Sequence, residues 1–567
     1  MNRWIKAVLI VALSFSSLAV FGADKYSGTP AARAAYNAGK QAWNTGKFAD
    51  AVADYEKAIQ LDPNFVTPYS DLLFAQTVAA TGRPGISTSK SEQEVARKKA
   101  DAVQAAYKAK YEALARENPK NPIYPWALSR IYYESDPKLQ EMYCRKAISL
   151  DKDFTPAYEC LADIAGLAGD YVQAAAYYRP VLAANPDNAE MMSHYIYYLQ
   201  NNPKQYKNAV EEMVKKFSES PETAMALNWY AYSLDDPVAQ EAVFEELVNL
   251  FPPARFDYSR SAAQGLFADY DQTDPAKARA LAQEMLKQFP KDGTWKNYAA
   301  YAHAMASAEE KLASGDNAAA LDALKSIKIA SMGRAFGKTR FQLLEARAAA
   351  SGGKAIDGYD SLFSDVAAHP GPETLAALYE YGQKAGKNKQ QVDAELWKAR
   401  SATALPEIPF TLTNLATGKK VSLSDYRGHV VILDFFFPNC GPCRSSYPYL
   451  KKLHDHFKSQ GVELLAVNGV DGQAPFVLPM MKNLGLDFTP LEGGQKFCSK
   501  VYHVRAFPTT LLIGADGRIY FAKERVLPDG SKLMEPHVWN TDGARTMELE
   551  IEALLDAAGT TPGKVAE

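Results

Sequence analysis

Cysteine is scarce in this chain, which has five cysteines among its 567 residues. A disulfide scaffold needs many more cysteines for this length, so that class of protein is excluded. The odd number leaves at least one cysteine without a partner in the same molecule. The five are Cys144, Cys160, Cys440, Cys443 and Cys498.

An excess of basic charge is also lacking. Lys and Arg number 63 against 66 Asp and Glu, which gives a net charge of -3. A nucleic-acid-binding protein needs a basic surface, so the composition argues against a nucleic acid partner. Hydrophobic residues make up 47% of the chain, and the length exceeds what a single core organises. We expect a protein of several globular domains.

Long apolar runs are lacking except near the start, where one extends from Ala7 to Val20. Arg3 and Lys6 precede this run and small residues follow it, which predicts a secretory signal peptide over 1–23. The run is shorter than the ~20 residues of a membrane-spanning helix, although an uncleaved anchor is an alternative interpretation. We expect export to the periplasm, an oxidising compartment in which disulfide exchange is useful.

A repeated pattern occupies residues 24–400. A turn glycine, an aromatic residue, a tyrosine and a closing proline recur at the same offsets in residues 44–63 and 167–186. The glycine separates two short helices, the aromatic residues fill the gap between them, and the proline ends the second helix. This pattern resembles the tetratricopeptide repeat family and predicts an all-α solenoid, with degenerate copies between 200 and 400.

The sequence leaves two properties of this array open. Its concave surface could bind a peptide or protein ligand, or the array could be a spacer for the domain that follows. Cys144 and Cys160 fall on consecutive predicted helices. They could form a disulfide, or they could be small buried residues, because the orientation of the side chains decides between these.

Pro406 and Pro409 interrupt the helical pattern, and we place a linker at 401–409. Residues 410–560 then alternate strand-like and helix-like stretches, which predicts an α/β domain, and 561–567 form a flexible tail. Strands are expected at Phe410–Leu415, Val430–Phe437, Val462–Val467, Thr509–Ile513 and Arg518–Phe521, and helices at Arg444–Gln460, Pro475–Leu484, Lys496–His503 and Thr546–Ala557.

The strongest chemical signal is a pair of cysteines, Cys440 and Cys443, spaced C-x-x-C between the apolar strand Val430–Phe437 and a predicted helix. This order places Cys440 at the helix N-terminus, where unpaired N–H groups and the helix dipole stabilise a thiolate. The chemistry requires that the Cys440 sulfur be ionised and reachable. A zinc site is disfavoured, because the spacing of His454 and His456 does not match that of zinc ligands.

Three motifs in this domain resemble the TlpA/ResA-like thioredoxins, which are exported members of the redoxin superfamily. The motifs are TGKKVSLSDYRG at 417–428, CGPCR at 440–444, and FPTTLLI at 507–513 followed by DGRI at 516–519. The resemblance implies that Cys440 attacks a substrate disulfide and that Cys443 resolves the resulting mixed disulfide. Gly441 and Pro442 between them are expected to contact the substrate.

The resemblance also assigns roles to residues outside the C-x-x-C motif. Pro508 corresponds to a cis-proline that faces the two cysteines, and Phe507 before it would contact the substrate or, alternatively, fill the core. Asp434 corresponds to a carboxylate that relays a proton to and from the second cysteine. The alternative is a strand-end carboxylate satisfied by backbone groups. Asn439 and Ser446 depart from the family pattern, which usually has Trp and Glu at these positions.

The sequence therefore predicts an exported thiol–disulfide oxidoreductase that needs no cofactor and acts as a reductase on a protein disulfide client. By resemblance, its own reductant would be an upstream membrane thiol carrier. The tetratricopeptide-like array would bind or position the client. The alternative is a repeat-based binding scaffold in which the thioredoxin-like domain is a secondary or regulatory redox element.

Overall fold

A computed structural model of the chain describes residues 25–82, 90–234, 236–329, 332, 336–527, 530–535 and 541–559. The predicted signal peptide, 1–23, and the predicted tail, 561–567, lie outside the described residues. The chain divides into two compact units, 1–226 and 227–567, and each is described by itself.

The first unit is built from consecutive helices that pair as antiparallel hairpins. Glycines turn the chain between helices, as at Gly46 and Gly169, whose φ angles of 79° and 72° lie in the left-handed region. The helices are α1 (Pro30–Asn44), α2 (Phe48–Leu61), α3 (Thr67–Thr81), α4 (Lys90–Glu117), α5 (Ile123–Ser129), α6 (Pro137–Leu150), α7 (Thr155–Leu167), α8 (Tyr171–Ala184), α9 (Ala189–Tyr197), α10 (Pro203–Lys216) and α11 (Pro221–Tyr232), the last of which crosses the division between the units.

Small and aromatic residues alternate at the contacts between these helices. At Gly39, on α1, a β-carbon would overlap the ring of Tyr55 on α2, so only glycine lets the two helices approach this closely. Ala51 and Ala58 on α2 are fully buried, and their small side chains likewise allow a neighbouring helix to approach closely. Close backbone approach around aromatic rings is what the repeat pattern predicts, and the all-α interpretation of this region is confirmed.

A disulfide joins Cys144 on α6 to Cys160 on α7. Both cysteines are buried. Of the two alternatives, a disulfide or two separate small side chains, the structure has the disulfide. Gln140 and Ser129 contact the Cys160 sulfur at 3.8 and 3.9 Å. The bond therefore crosslinks two consecutive hairpins of the array.

The second unit continues with helices and ends in the α/β domain. Its helical part contains α12 (Pro237–Leu250), α13 (Asp257–Thr273), α14 (Pro275–Gln288), α15 (Gly293–Ala313), α16 (Asn317–Lys325), α17 (Thr339–Ala350), α18 (Ala355–Ala368), α19 (Pro372–Lys384) and α20 (Lys389–Thr403). In the described part of the chain, no helix is both long enough and apolar enough to cross a bilayer.

The segment predicted as a linker is held against the α/β domain. Helix α20 extends to Thr403, and Leu405 pairs with Ile519 through two backbone hydrogen bonds of 2.8 and 3.0 Å. Trp397 on α20 stacks on Tyr520, with the ring centroids 5.3 Å apart. The last helix of the array is therefore packed directly on the edge of the sheet.

The α/β domain is a seven-stranded sheet with the strand order β2-β1-β5-β4-β3-β6-β7, plus a separate two-stranded hairpin, β8-β9. The strands are β1 (Thr411–Asn414), β2 (Lys420–Ser422), β3 (Val430–Phe436), β4 (Val462–Asn468), β5 (Thr489–Glu492), β6 (Thr509–Ile513), β7 (Ile519–Tyr520), β8 (Glu524–Val526) and β9 (Lys532–Met534). The helices are α21 (Gly441–Phe457), α22 (Ala474–Leu484), α23 (Gly494–Lys500) and α24 (Thr541–Ala558).

The central strand β3 explains the apolar run that precedes the cysteines. All seven of its residues are buried, since it lies between parallel β4 and antiparallel β6 and has side chains packed on both faces. A strand covered on both faces is expected to read as a continuous apolar run. The predicted fold class, an all-α repeat array followed by an α/β domain, is confirmed.

Removing the disulfide of the array should destabilise it. Its two cysteines are 16 residues apart, and a crosslink closing a loop of this length contributes about 3 kcal/mol by restricting the unfolded chain. We expect the double variant Cys144→Ala/Cys160→Ala to lose about that much unfolding free energy in urea, followed by circular dichroism. Cys498→Ala, which removes a buried cysteine that forms no disulfide, is the control. An equal loss in both variants would contradict the prediction.

Candidate active site

The turn between β3 and α21 places the two cysteines at the start of a helix, as predicted. Cys440 is the N-cap of α21, and its sulfur accepts a hydrogen bond from the Cys443 N–H at 3.1 Å. Pro442 occupies the second helical position, where a missing N–H removes no intrahelical bond. Cys440 and Cys443 form a disulfide. A disulfide at a helix N-cap can exchange two electrons with a thiol or disulfide partner.

The expectation of a reachable sulfur is wrong for this disulfide-bonded state. Cys440 keeps 3% of its surface exposed and Cys443 none. The partly buried rings of Phe437 and Phe507 pack against the apolar cluster that contains both cysteines. Within the motif, Pro442 is exposed, so the motif meets solvent at the residues between the cysteines.

Two side chains fix the turn that carries Cys440. The Arg444 guanidinium donates from Nε and Nη2 to the Pro438 carbonyl, at 3.1 and 2.8 Å. The Asn439 N–H donates to Oε1 of Gln473 at 3.1 Å, and Gln473 is 3% exposed. Sequence reasoning missed both roles. Gln473 lies 34 residues from its partner, and only the fold brings the two together.

Asp434 lies on β3 and is 1% exposed. Its Oδ1 accepts a hydrogen bond from the Thr510 hydroxyl at 2.7 Å, across the β3–β6 pairing. Burial raises the pKa of Asp434 to about 7, while the Thr510 hydrogen bond acts in the opposite direction. Because side chains alternate along a strand, Asp434 shares a sheet face with Ile432 and Phe436, which belong to the cluster that contains the two cysteines. The proton relay stays a prediction, and this placement is the one it requires.

The Phe507–Pro508 peptide bond is cis, the geometry that the resemblance implies. The ring of Phe507 is half-buried and meets Phe437 edge to face, with the centroids 5.4 Å apart. It also covers Gly469, where a β-carbon would overlap the ring. Phe507 is therefore packed against its neighbours but not fully buried, and the choice between its two predicted roles stays open.

Cys498 is separate from this pair. It is buried and forms no disulfide, and burial raises its thiol pKa to about 12. A thiol with so high a pKa stays protonated near neutral pH and is a poor nucleophile. This supports the interpretation of Cys498 as a small helix residue.

One group of three possible metal ligands, His454, Asp455 and Asp487, occurs in the described ranges. Lys458 already pairs with both carboxylates, at 2.7 and 3.1 Å. The helical rise of 1.5 Å per residue places His454 about 16 Å along α21 from Cys443. This group is therefore distinct from the cysteine pair.

Comparison with known proteins agrees with this geometry. The redoxin family profile matches residues 401–536, and a tetratricopeptide repeat profile matches residues 32–65. A thiol-disulfide oxidoreductase ResA of Bacillus cereus is 32% identical over 124 residues, which are 22% of this chain and 68% of that protein. The chain belongs to the redoxin family.

Two other ResA relatives of this redoxin are matched over less of their length, and a solved structure is matched over nearly all of its length. The ResA protein of Bacillus subtilis is 37% identical over 102 residues, which are 18% of this chain and 56% of that protein. The ResA protein of Geobacillus kaustophilus is 39% identical over 110 residues, and the chain spans 62% of its length. A solved thiol:disulfide interchange protein of Chlorobium tepidum is 20% identical, with 27% of this chain and 97% of that chain covered and a TM-score of 0.22.

The buried carboxylate should make the stability of the redoxin domain depend on pH. Its pKa is 3.8 when unperturbed and about 7 in the fold, so the folded protein binds this proton more tightly and loses stability as the pH rises from about 4 to about 7. Asp434→Asn should therefore stabilise the protein by up to about 4 kcal/mol above pH 7. Urea denaturation at pH 4 and pH 8 measures this, and the gap between variant and wild type should be larger at pH 8.

The same variant should lose the group that is proposed to give a proton to Cys443 during reduction and to take it back during oxidation. We expect the rate at which dithiothreitol reduces the Cys440–Cys443 disulfide to have an inflection near pH 7 in the wild type and none in Asp434→Asn. A variant that is more stable and keeps the inflection would show that another group governs the exchange.

A methyl group at Gly469 should disturb the cis-proline loop. The added carbon would overlap the Phe507 ring and lie 3.1 Å from the Cys498 sulfur, and overpacking of this kind costs about 1–3 kcal/mol. We expect Gly469→Ala to lower the thermal midpoint. Gly293→Ala, in a helix with nothing within 4 Å of the new carbon, is the matched control and should not. Equal midpoints for the two variants would mean that the ring moves aside freely.

Proposed function

We propose that this protein is an exported thiol–disulfide oxidoreductase that reduces disulfides in protein clients, and that its repeat array binds or positions those clients. The observation that carries the proposal is the Cys440–Cys443 disulfide at the N-cap of α21. The names of the matched relatives favour this function over that of a binding scaffold with a secondary redox element.

The reduced pair would act in two exchange steps. The Cys440 thiolate attacks one sulfur of the client disulfide, which forms a mixed disulfide and releases the other client sulfur as a thiolate. The Cys443 thiolate then attacks the Cys440 sulfur, which forms the Cys440–Cys443 disulfide and releases the second client sulfur. The client gains two electrons and two protons, and the protein is left in the disulfide state described above.

The surrounding residues supply what these steps need. The N–H groups at the start of α21 stabilise the Cys440 thiolate, and the Cys443 N–H already points at that sulfur. Asp434 can accept the proton of Cys443, because a carboxylate with a pKa of about 7 holds and releases protons near neutral pH. In this proposal an extended client segment adds by strand pairing to the backbone beside Phe507 and Pro508.

Turnover requires that the oxidised pair be reduced again. A second dithiol must attack the Cys440–Cys443 disulfide, form a disulfide of its own and return two electrons. A membrane-bound thiol carrier suits an exported enzyme, and the signal-like residues 1–23 support export.

Replacing the resolving cysteine should trap the client. In Cys443→Ser, Cys440 can still attack a disulfide, but the mixed disulfide is not resolved. We expect the reduced variant to form a covalent complex with a disulfide-containing protein such as insulin, seen as a band on a non-reducing gel that dithiothreitol removes. The wild type should instead reduce insulin catalytically.

Two control variants test whether the covalent complex and the reduction of insulin depend on the Cys440–Cys443 pair. Cys440→Ser/Cys443→Ser should form no adduct and reduce no insulin, whereas Cys498→Ala should behave as wild type because its thiol is buried and protonated. If reduced wild type shows no Cys440-dependent exchange with any disulfide, the proposed function is wrong.

A further inference from the structure

The hairpin β8–β9 stands apart from the seven-stranded sheet of the redoxin domain. Its second strand is anchored beside the segment that leads to the cis-proline. Met534 is 1% exposed and belongs to the same apolar cluster as Tyr502 and Val504, and its N–H donates to the His503 carbonyl at 3.0 Å. Since a two-stranded hairpin alone is only marginally stable in water, this one depends on its contact with the rest of the domain.

The side chain of His503 joins the same two segments. Its Nδ1 donates to Oε1 of Glu524 on β8 at 2.7 Å, and Oε2 of that carboxylate pairs with the Lys532 ammonium on β9 at 2.6 Å. Both partners of the histidine bond are partly buried, with 26% of the His503 side chain and 20% of the Glu524 side chain exposed. A hydrogen bond to a charged group is strengthened by such shielding from water. Backbone and side chain therefore both attach the hairpin to His503.

The backbone of His503 has the left-handed conformation, with a φ of 55°. This conformation is uncommon and unfavourable for residues other than glycine, and it persists where the surroundings hold it. In the described part of the chain, two other non-glycine residues have a positive φ, and one of them, Phe521, lies three residues before β8. The chain therefore takes unfavourable conformations on both sides of the contact between His503 and the hairpin.

His503 directly precedes the loop that carries the cis-proline, residues 504–508. The far end of this loop is fixed by the sheet, because Thr509 is the first residue of β6 and is paired with β3. Between the two ends, Arg505 and Ala506 are exposed. The position of the exposed stretch is therefore set by how its ends are held, one by the sheet and the other beside the hairpin.

We propose that the β8–β9 hairpin positions the cis-proline loop through His503 and Glu524, and that this position determines the preference for protein disulfides over small ones. The inference rests on the proposed function, in which an extended client segment pairs with the backbone beside Phe507 and Pro508. Such pairing needs the loop backbone in one place, whereas a small disulfide without a peptide backbone makes no such pairing. His503 and Glu524 are thus positioning residues that act on a client through the loop.

Kinetics with two substrates separate these effects in the full chain. We expect Glu524→Ala to raise the KM for insulin about tenfold, as for a lost hydrogen bond to a charged group, and to leave kcat near the wild-type value. The rate at which bis(2-hydroxyethyl) disulfide oxidises the reduced Cys440–Cys443 pair should not change. Lys532→Ala is the matched control and should behave as wild type, because it removes the other partner of the same carboxylate and leaves the bond to His503.

Two variants of His503 separate the side-chain contact from the backbone conformation. Asparagine tolerates a left-handed φ and its amide can donate to Glu524, so His503→Asn should keep the wild-type KM for insulin. Glycine adopts the same φ freely but has no side-chain donor, so His503→Gly should raise the KM as Glu524→Ala does. A folded His503→Gly with the wild-type KM would overturn the inference. If Glu524→Ala does not fold, this pair of variants makes the same comparison.

Hydrogen exchange reports on the loop without a client. The Val504 N–H donates to the Cys498 carbonyl at 2.8 Å and loses protection when the loop opens. Peptides that cover residues 502–508 should therefore exchange faster in Glu524→Ala than in wild type or Lys532→Ala, while peptides from β3 should not change. Equal exchange in all three proteins would overturn the inference, because the buried Tyr502 and Val504 would then hold the loop without the hairpin.

Failure of the proposed function and failure of this inference give different results. If wild type reduces neither insulin nor bis(2-hydroxyethyl) disulfide, the proposed function is wrong, and the exchange measurement still decides whether the hairpin holds the loop. If wild type reduces both substrates and Glu524→Ala changes both rates by the same factor or changes neither, this inference is wrong and the proposed function stands.

Discussion

The unpaired N–H groups at the start of α21 are the constraint on which the active site depends. A helix that begins directly after a buried strand must satisfy these groups from the turn between them, and here the Cys440 sulfur serves as the cap. A cap that acts as a nucleophile, as the proposed function requires, has to be held in one position. Arg444 and Gln473 do this by binding the backbone of Pro438 and Asn439. The redox centre is therefore a helix start whose capping group can change its covalent state.

Burial raises the pKa of two ionisable groups in the redoxin domain, and the consequences differ. It raises the pKa of Asp434 to about 7, which brings a carboxylate into the range where it exchanges protons at neutral pH. It raises the pKa of Cys498 to about 12, which keeps that thiol protonated. The same desolvation thus brings one group into the pKa range that the proposed proton relay requires and keeps the other group protonated near neutral pH.

The helical and α/β parts of the second unit are joined by packing. Helix α20 stacks Trp397 on Tyr520, and Leu405 extends the pairing to β7. Arg400, on the same helix, is buried and donates to the carbonyls of Val366 and Ala367 on α18. The segment 401–409 carries two prolines and would be flexible in isolation. These contacts order it and pack the redoxin domain against helix α20.

Much of this could be predicted from local sequence. The repeat offsets, the apolar run Val430–Phe437 and the C-x-x-C spacing are local patterns, and helix capping, strand burial and turn formation follow from such patterns directly. They determined the fold class, the position of Cys440 at a helix start and five of the nine strands, whereas the short strands β2, β5, β8 and β9 were not expected.

The remaining features depend on contacts between residues far apart in the chain. The cover over Cys440, the Thr510 partner of Asp434, the role of Gln473 and the Cys144–Cys160 bond were decided only by the tertiary structure. The direction of a side chain, its burial and its partner in another element are set by how the elements pack, and no spacing within one segment contains that information.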